Sequence, residues 1–290
     1  MRLVDRTYEL CTQPQQPYFE LLDRIHQHLV PRTYVEIGVS TARSLTMALP
    51  GTECIGIDPE PKPAFPLGRH TRVFAMTSDD FFAQHDLARA FGGAPLDLAF
   101  IDGMHHFEYA LRDFINLEKA SNPDTTILIH DCLPNDEQHA ARERSSHRWA
   151  GDVWRLIVLL RAWRPDLDVA VADPAPSGLG VVRGLDPTST VLSDHYDEIV
   201  AHYLEMPYSA LDDGAMAEHL NQISGDWPTV RALLPRQPFR SVNLDALKAE
   251  RALLAVGPAA ARALRRTGRQ LSSRGPGRTP AMSTDPVGSS

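Results

Sequence analysis

Short apolar runs alternate along this chain with stretches of helical periodicity. Five of the runs lie in the first half of the sequence: TYVEIGV (33–39), ECIGIDPE (53–60), TRVFAM (71–76), LDLAFID (96–102) and TTILIHD (125–131). Continuous apolar runs of this length, each bounded by polar or turn residues, are typical of strands buried on both faces of a parallel sheet. The pattern therefore predicts five buried strands.

The segments around these runs have apolar residues at helical spacing. An amphipathic helix is predicted over residues 17–29, where Phe19, Leu22, Ile25 and Leu29 share one face. Further helices are predicted from about Thr41, from the TSDD turn (77–80) to about Phe91, after the fourth run with Phe107, Leu111, Phe114 and Leu117 on one face, and over 151–163.

Strands that alternate with helices indicate βαβ crossovers, and these build an α/β fold with a doubly wound, Rossmann-like sheet. Two last runs, LDVAVAD (167–173) and GLGVVRGL (178–185), are separated only by a short turn and predict an antiparallel closing pair. We expect an N-terminal helical segment over 1–30, a catalytic domain over 31–185, a helical extension over 186–266 and a disordered tail over 267–290.

The overall charge excludes some partners. The net charge is −8, and residues 251–290 hold seven arginines beside the single acid Asp285, so the rest of the chain is strongly acidic. An acidic body is a poor surface for nucleic acid, which requires clustered Lys and Arg. Three cysteines without C-x-x-C spacing, together with the lack of a long apolar run, predict a cytoplasmic protein without membrane insertion. A homo-oligomer remains open.

Ligands of open α/β sheets bind at the carboxyl ends of the strands. Gly38 follows the first strand, and Asp58 lies 20 residues later, the spacing at which an acid reaches a ribose. Ser40 and Arg43 replace the second and third glycines of the G-x-G-x-x-G pattern, and their bulk keeps backbone N–H groups away from a pyrophosphate. A nucleoside ligand without phosphates fits this pattern better than a dinucleotide.

Several motifs in order carry a resemblance to a known family: VEIGVSTARSL, CIGIDPEP, MTSDDFF, LAFIDGMHHFEYALRDF, ILIHDCLP and WAGDVW. Together they resemble the class I S-adenosylmethionine (SAM)-dependent methyltransferases. More narrowly, they are similar to the bacterial metal-dependent sugar O-methyltransferases, over about residues 20–185. The resemblance implies SAM as cofactor, with contacts from Glu36 and Gly38 at the methionine end, Asp58 at the ribose, and Ser78 and Asp79 at the adenine. Ser40, where the family more commonly has glycine, and Ser44 follow the same strand and are assigned to the same site.

The resemblance also implies a metal and a base. Asp102 and Asp131 match metal-binding acids, His130 stands where a further ligand is expected, and His105 matches a catalytic base, with Asp102 also counted in the catalytic set. Hard carboxylate oxygens suit Mg²⁺, with Mn²⁺ as the alternative. His106 is interpreted as structural. Nine further histidines are expected at the surface: His26, His28, His70, His85, His139, His147, His195, His202 and His219.

The sequence thus predicts a SAM-dependent, divalent-metal-dependent O-methyltransferase that acts on a carbohydrate hydroxyl of a small-molecule or oligosaccharide acceptor. Two other functions stay open: a hydroxylase-like relative that uses the metal to oxidise its substrate, and a nucleoside-binding protein without turnover. A nicotinamide dehydrogenase is disfavoured by the broken glycine pattern. The long polar segment over 133–149, just after the fifth strand, is typical of an active-site lid.

Overall fold

The computed structural model describes residues 17–144, 149–211 and 215–255, and within them it contains one eight-stranded sheet of order β3-β2-β1-β4-β5-β7-β6-β8. The strands are β1 (Thr33–Ile37), β2 (Glu53–Asp58), β3 (Thr71–Ala75), β4 (Leu98–Ile101), β5 (Thr126–His130), β6 (Asp168–Ala172), β7 (Leu179–Arg183) and β8 (Gln222–Ile223). β1 to β5 pair in parallel, and β7 is antiparallel to both β5 and β6. The predicted α/β fold with an antiparallel closing strand is confirmed.

Ten α-helices surround this sheet in the described residues. They are α1 (Pro17–Leu29), α2 (Ser78–Gln84), α3 (Leu87–Ala90), α4 (Phe107–Lys119), α5 (Trp154–Trp163), α6 (Val191–Asp194), α7 (Tyr196–Leu204), α8 (Ala215–His219), α9 (Trp227–Leu233) and α10 (Leu244–Ala255). Within these ranges no helix combines the length and the apolar character needed to cross a bilayer. The predicted tail over 267–290 lies outside the described residues.

Both faces of the sheet are covered, as the apolar runs require. Ala99 and Ile101 of β4 belong to the core that α4 and α5 close, whereas Leu98 and Phe100 belong to the core that α1 closes on the opposite face. Successive residues of a strand point to opposite faces, so one run of four apolar residues serves two cores. Phe107, Leu111, Phe114 and Leu117 of α4 are all buried, as their helical spacing predicts.

The helix predicted from Thr41 is wrong. That segment contains only a short 3-10 turn over Leu45–Met47, preceded by two residues with positive φ, Ser40 (46°) and Ala42 (64°). Left-handed residues cannot continue a right-handed helix. The carbonyl of Ser40 accepts instead from the N–H of Lys62 at 2.9 Å, so the turn is tied to the loop that follows β2.

Other sequence expectations differ from the structure in burial. β3 was predicted as a buried strand but forms the outer edge of the sheet and is partly exposed along its length. His26 and His139 are buried rather than superficial, and the ring of His26 packs edge-on against Tyr34 at 4.6 Å. Burial lowers the pKa of His26 to about 3, so this imidazole is a neutral member of the core.

Candidate active site

The turns after β1, β4 and β5 meet at one edge of the sheet, because the carboxyl ends of parallel strands lie side by side. Gly38, directly after β1, has φ of 91°, and a Cβ at this position would overlap the carbonyl oxygen of Asp102. Glycine is therefore needed where the first and fourth turns touch. His105 (φ 59°) and Asp131 (φ 61°) also lie in the left-handed region, which turns their side chains toward this contact.

Asp102, His105 and Asp131 form a cluster in which one ligand atom from each lies within 4.8 Å of the others. His105 Nδ1 lies 2.8 Å from Asp131 Oδ2, and His105 Nε2 lies 3.6 Å from Asp102 Oδ1. The structure therefore brings together three residues that the sequence assigns to the metal and the base, from two different strand ends. Two carboxylates and one imidazole could hold a divalent cation.

His130, the predicted additional ligand, lies directly beneath this cluster. Its Nδ1 is 3.1 Å from Asp102 Oδ1 and 3.3 Å from Asp131 Oδ1, so this nitrogen faces two carboxylate oxygens and is placed to donate to them. Its Nε2 is buried without a hydrogen-bond partner in the part of the chain that the structure describes. The ring of Tyr18 from α1 covers His130, with 4.2 Å between ring centroids.

The charges in the cluster stabilise one another. Burial alone would raise the pKa of Asp131, but the charge on His130 and the hydrogen bond from His105 outweigh it and hold that pKa well below its ordinary value. Burial acts on His105 in the downward direction, yet Asp131 and Asp102 together raise its pKa above the ordinary value. Asp131 is thus an anion that organises two imidazoles.

Residues outside the strand turns fix the cluster in place. Ser177, in the turn before β7, donates its hydroxyl to Asp131 Oδ1. The indole of Trp149 stacks on His105 with 5.1 Å between centroids and 8° between planes. Gly151 has φ of 66°, and a Cβ there would overlap the carbonyl oxygen of His105. The imidazole of His105 is therefore clamped between the β4 turn and the segment that precedes α5.

The predicted lid segment supplies part of this clamp. Asp152 accepts from the N–H of Phe107 at 2.7 Å and so caps the start of α4. Arg142 pairs with Glu108 at 2.7 Å and with Asp152 at 2.5 Å. Residues 145–148 lie outside the described residues. In the described portion, the ion pair between Arg142 and Glu108 joins the segment to α4, and the lid role stays a prediction.

Glu36 is fully buried near the carboxyl end of β1. Its carboxyl oxygens accept from the hydroxyl of Tyr34 at 2.7 Å and from the hydroxyl of Ser44 at 2.7 Å. Burial raises the pKa of Glu36 to about 8 despite these two donors. Glu36 and Ser44, both assigned to the cofactor from sequence, thus bond to each other beneath the turn, and their direct contact with a ligand stays a prediction.

The raised pKa predicts how stability depends on pH. The native state holds a proton on Glu36 up to about pH 8, whereas the unfolded chain loses it near the ordinary value of 4.5, so the free energy of unfolding should fall as pH rises between these values. In Glu36→Gln the fall should be smaller by on the order of 3 kcal/mol. Urea unfolding from pH 4.5 to 8.5 measures the difference.

The exposed Glu205→Gln variant, which also removes one carboxyl group, serves as the matched control and should retain the native pH dependence. An equal pH slope in Glu36→Gln and the native protein would contradict the assignment of a neutral Glu36.

Asp58 and Ser40 lie together beside Gly38. Asp58 Oδ2 accepts from the N–H of Ser40 and Asp58 Oδ1 from the N–H of Glu60, each at 2.7 Å. The acid at the end of β2 therefore holds the β1 turn as well as standing where a ribose is expected. A side chain on the Ser40 position does not disturb this bond, because only its backbone takes part.

Ser78 and Asp79 begin α2, where the hydroxyl of Thr77 caps the helix. Asp79 forms a bidentate ion pair with Arg112 of α4, and both N···O distances are 2.8 Å. The side chain of Ser78 lies near the carboxyl group of Asp113, also on α4, and acts against the rise that burial causes in the pKa of that group. These two predicted adenine contacts are therefore connected to α4 rather than to the metal cluster.

Sequence reasoning missed Tyr18, Ser177, Trp149 and Asp113, all of which approach the site from other elements. Burial, assisted by the charges of Asp102 and Asp131, raises the pKa of the Tyr18 hydroxyl far above its ordinary value. Two of them gave a signal in the sequence: Trp149 begins the WAGDVW motif, and Asp113 is a carboxylate on the apolar face of an amphipathic helix.

The part of the chain that contains these strand turns matches a known protein family. Residues 35–132 match a protein family described as "Methyltransferase domain". The match covers about a third of the chain. It extends from β1 to just past β5 and includes Asp102, His105, His130 and Asp131 together with every predicted cofactor residue. A search of curated proteins finds no match.

Three methyltransferases are among the solved structures whose backbone resembles that of this chain. An O-methyltransferase from Bacillus cereus in complex with S-adenosylhomocysteine (SAH) is 15% identical to this chain. The alignment covers 63% of this chain and 89% of the Bacillus protein, and the TM-score is 0.45. The O-methyltransferase TomG from Streptomyces achromogenes, involved in tomaymycin synthesis and in complex with SAM, is 16% identical over 59% and 81%, with a TM-score of 0.45. An SAH-bound methyltransferase from Podospora anserina is 15% identical over 63% and 88%, with a TM-score of 0.47. At these levels the ligands named belong to those proteins.

Proposed function

We propose that the protein is a SAM-dependent O-methyltransferase that uses a divalent cation and acts on a carbohydrate hydroxyl. One observation carries the proposal: the stretch that matches a methyltransferase domain is the stretch whose strand turns gather Asp102, His105 and Asp131 into one cluster. An isolated glycine turn would be weak support, whereas this cluster offers the groups that transfer to oxygen requires.

Residues at the ends of β1 and β2 would hold the proposed cofactor. Gly38 lets the chain approach closely, and the Asp58 carboxylate, held by the N–H of Ser40, stands where it could accept from ribose hydroxyl groups. Without phosphates, SAM does not need the second and third glycines that this chain lacks. Ser78 and Asp79 at the start of α2 would face the adenine.

The donor set fits a divalent cation. Asp102 and Asp131 present carboxylate oxygens from adjacent strand ends, and Asp131 is ionised. Two hard anionic ligands suit Mg²⁺, and the nearby imidazoles extend the choice to Mn²⁺. Such a cation, when bound, would lower the pKa of a coordinated hydroxyl group and so make it a better nucleophile.

His105 is suited to accept the proton of that hydroxyl. Its Nδ1 lies 2.8 Å from the Asp131 carboxylate and 3.3 Å from the carbonyl oxygen of Trp149, so two acceptors place the ring hydrogen on this nitrogen. Nε2 then keeps its lone pair on the side of Asp102. Asp131 would fix the tautomer and stabilise the imidazolium formed by proton transfer.

The acceptor class rests on the resemblance of the quoted motifs to sugar O-methyltransferases. Methyl transfer from a sulfonium to oxygen requires mainly alignment of the two reactants and removal of the hydroxyl proton. The first of these is the task of the turns around Gly38, and the second is the task of His105. A small glycoside and an oligosaccharide both remain within the proposal.

A screen of glycosides and sugar acids with SAM that carries a labelled methyl group tests this function. We expect transfer of the label to at least one hydroxyl, abolished by EDTA and restored by Mg²⁺ or Mn²⁺. Transfer that is indifferent to EDTA would remove the metal from the proposal. Oxygen consumption with Fe²⁺ in place of methyl transfer would favour the hydroxylase alternative, which the two-carboxylate, one-histidine cluster also suits.

A further inference from the structure

Arg43 carries a cation without an anionic partner in the turn that follows β1. It occupies the third glycine position of the broken G-x-G-x-x-G pattern, and its side chain is partly buried. Each of the other buried or partly buried arginines in the described ranges donates to a carboxylate or a carbonyl oxygen. The guanidinium of Arg43 has no such acceptor among the residues that the structure describes. Because a guanidinium has five donors and no acceptor, this group suits an anion that arrives with a ligand.

A series of ring contacts connects the guanidinium of Arg43 to the candidate site. Its Cζ lies 4.3 Å from the centroid of the Phe19 ring, an attractive contact between a cation and an aromatic face. The centroids of the Phe19 and Tyr18 rings are 4.0 Å apart, and the Tyr18 ring covers His130 beneath the metal cluster. Burial and the nearby carboxylates raise the pKa of the Tyr18 hydroxyl, and the charge of Arg43 acts against that rise. Arg43 therefore lies beside the part of the site that α1 covers.

The residues next to Arg43 in the chain are predicted cofactor contacts. Ser44 donates its hydroxyl to Glu36 at 2.7 Å, and the sequence assigns Glu36 and Gly38 to the methionine end of SAM. That end of SAM is a zwitterion, and the acids of the site attract its ammonium group but repel its carboxylate. A carboxylate bound beside these acids needs a cation, and a guanidinium can hold both carboxylate oxygens through two parallel hydrogen bonds.

We propose, as an extension that rests on the proposed function, that Arg43 binds the carboxylate at the methionine end of SAM. Its guanidinium donates to both carboxylate oxygens, while the Phe19 ring supports the cation. The side chain that replaces the third glycine of a dinucleotide site thus supplies the charge that an amino acid ligand needs. Arg43 thereby selects an adenosyl ligand with an α-carboxylate over one that lacks it.

The test compares SAH with decarboxylated SAH, in which a hydrogen atom replaces the α-carboxylate, by calorimetry on the full chain. The native protein should bind SAH at least about tenfold more tightly, because bidentate hydrogen bonds between ionised groups are strong. Arg43→Gln should reduce that preference to less than about threefold, and Arg43→Lys, which keeps the charge without the bidentate geometry, should lie between the two. Arg231→Gln, which removes the same charge from an exposed position on α9, is the matched control and should keep the native preference.

Equal affinity of the native protein for the two ligands would overturn this role of Arg43, whether or not Arg43→Gln folds. A loss of affinity in Arg43→Gln that is equal for both ligands would show only a structural role and would also overturn it. If the native protein binds neither ligand, the proposed cofactor is wrong as well, whereas the first two results refute the role of Arg43 alone. Thermal unfolding of Arg43→Gln should show only a small loss of stability, because the contact with Phe19 is the interaction that the change removes.

Discussion

Asp131→Asn should lower the turnover number for methyl transfer by about a thousandfold, since the loss of a metal-binding anion removes several kcal/mol of stabilisation from the forming alkoxide. Asp131 is 4% exposed and contacts His105, His130 and the hydroxyl of Ser177. Its charge is the common partner of both imidazoles. Steady-state kinetics with an acceptor found in the labelled-methyl screen measures the effect.

Asparagine is a suitable replacement at this position because Asp131 has a φ of 61°, and asparagine tolerates the left-handed region as readily as aspartate. The change therefore alters charge without altering the turn. Asp168→Asn, at the exposed start of β6 and at the opposite end of the sheet, is the matched control and should have native turnover. SAH affinity should change by less than about threefold in both variants, because the metal acts on the acceptor. Native turnover in Asp131→Asn would refute the role of the cluster.

His105→Asn should reduce turnover by at least about a hundredfold with little change in SAH affinity, because a positioned general base contributes roughly 10²–10⁴-fold. Asparagine preserves the left-handed backbone at φ 59° but cannot accept a proton near neutral pH. The variant thus separates the chemistry of the imidazole from the shape of the turn. Turnover and SAH affinity are measured with the same acceptor as above.

The neighbouring His106→Asn is the control for this experiment. His106 precedes α4, and its Nε2 lies 3.0 Å from the carbonyl oxygen of Arg142. Asparagine is well suited to the position before a helix, so near-native turnover is expected. A fully active His105→Asn beside an inactive His106→Asn would show that the base is the other histidine.

The sheet could be predicted from sequence because its evidence is local. An apolar run such as LAFI of β4 reports burial on both faces, and the long crossovers leave few alternatives to a parallel arrangement. The helix predicted from Thr41 failed because its residues are tied to a loop some twenty positions later, through the bond from Lys62 to Ser40. Helical periodicity contains no information about such a competing partner.

The residues of the candidate site also divide into those that the sequence could identify and those that it could not. Asp102, His105 and Asp131 could be named because they lie at the ends of two predicted strands, where parallel strands bring side chains together, and because the quoted motifs resemble a known family. Their partners could not be named, since Tyr18, Trp149 and Ser177 come from a preceding helix and two later turns. The hydrogen bonds that Glu36 accepts from Tyr34 and Ser44 could not be named from sequence either, and its contact with a ligand stays a prediction.

Calorimetric titration of the full chain with SAH, with and without EDTA, tests the central claim most directly. Because the proposed cofactor contacts at Gly38 and Asp58 do not use the carboxylates of the metal cluster, we predict saturable binding of one SAH per chain with the same affinity in both conditions. The same EDTA should abolish methyl transfer. A protein that shows no heat of binding with SAH in either condition would contradict the account.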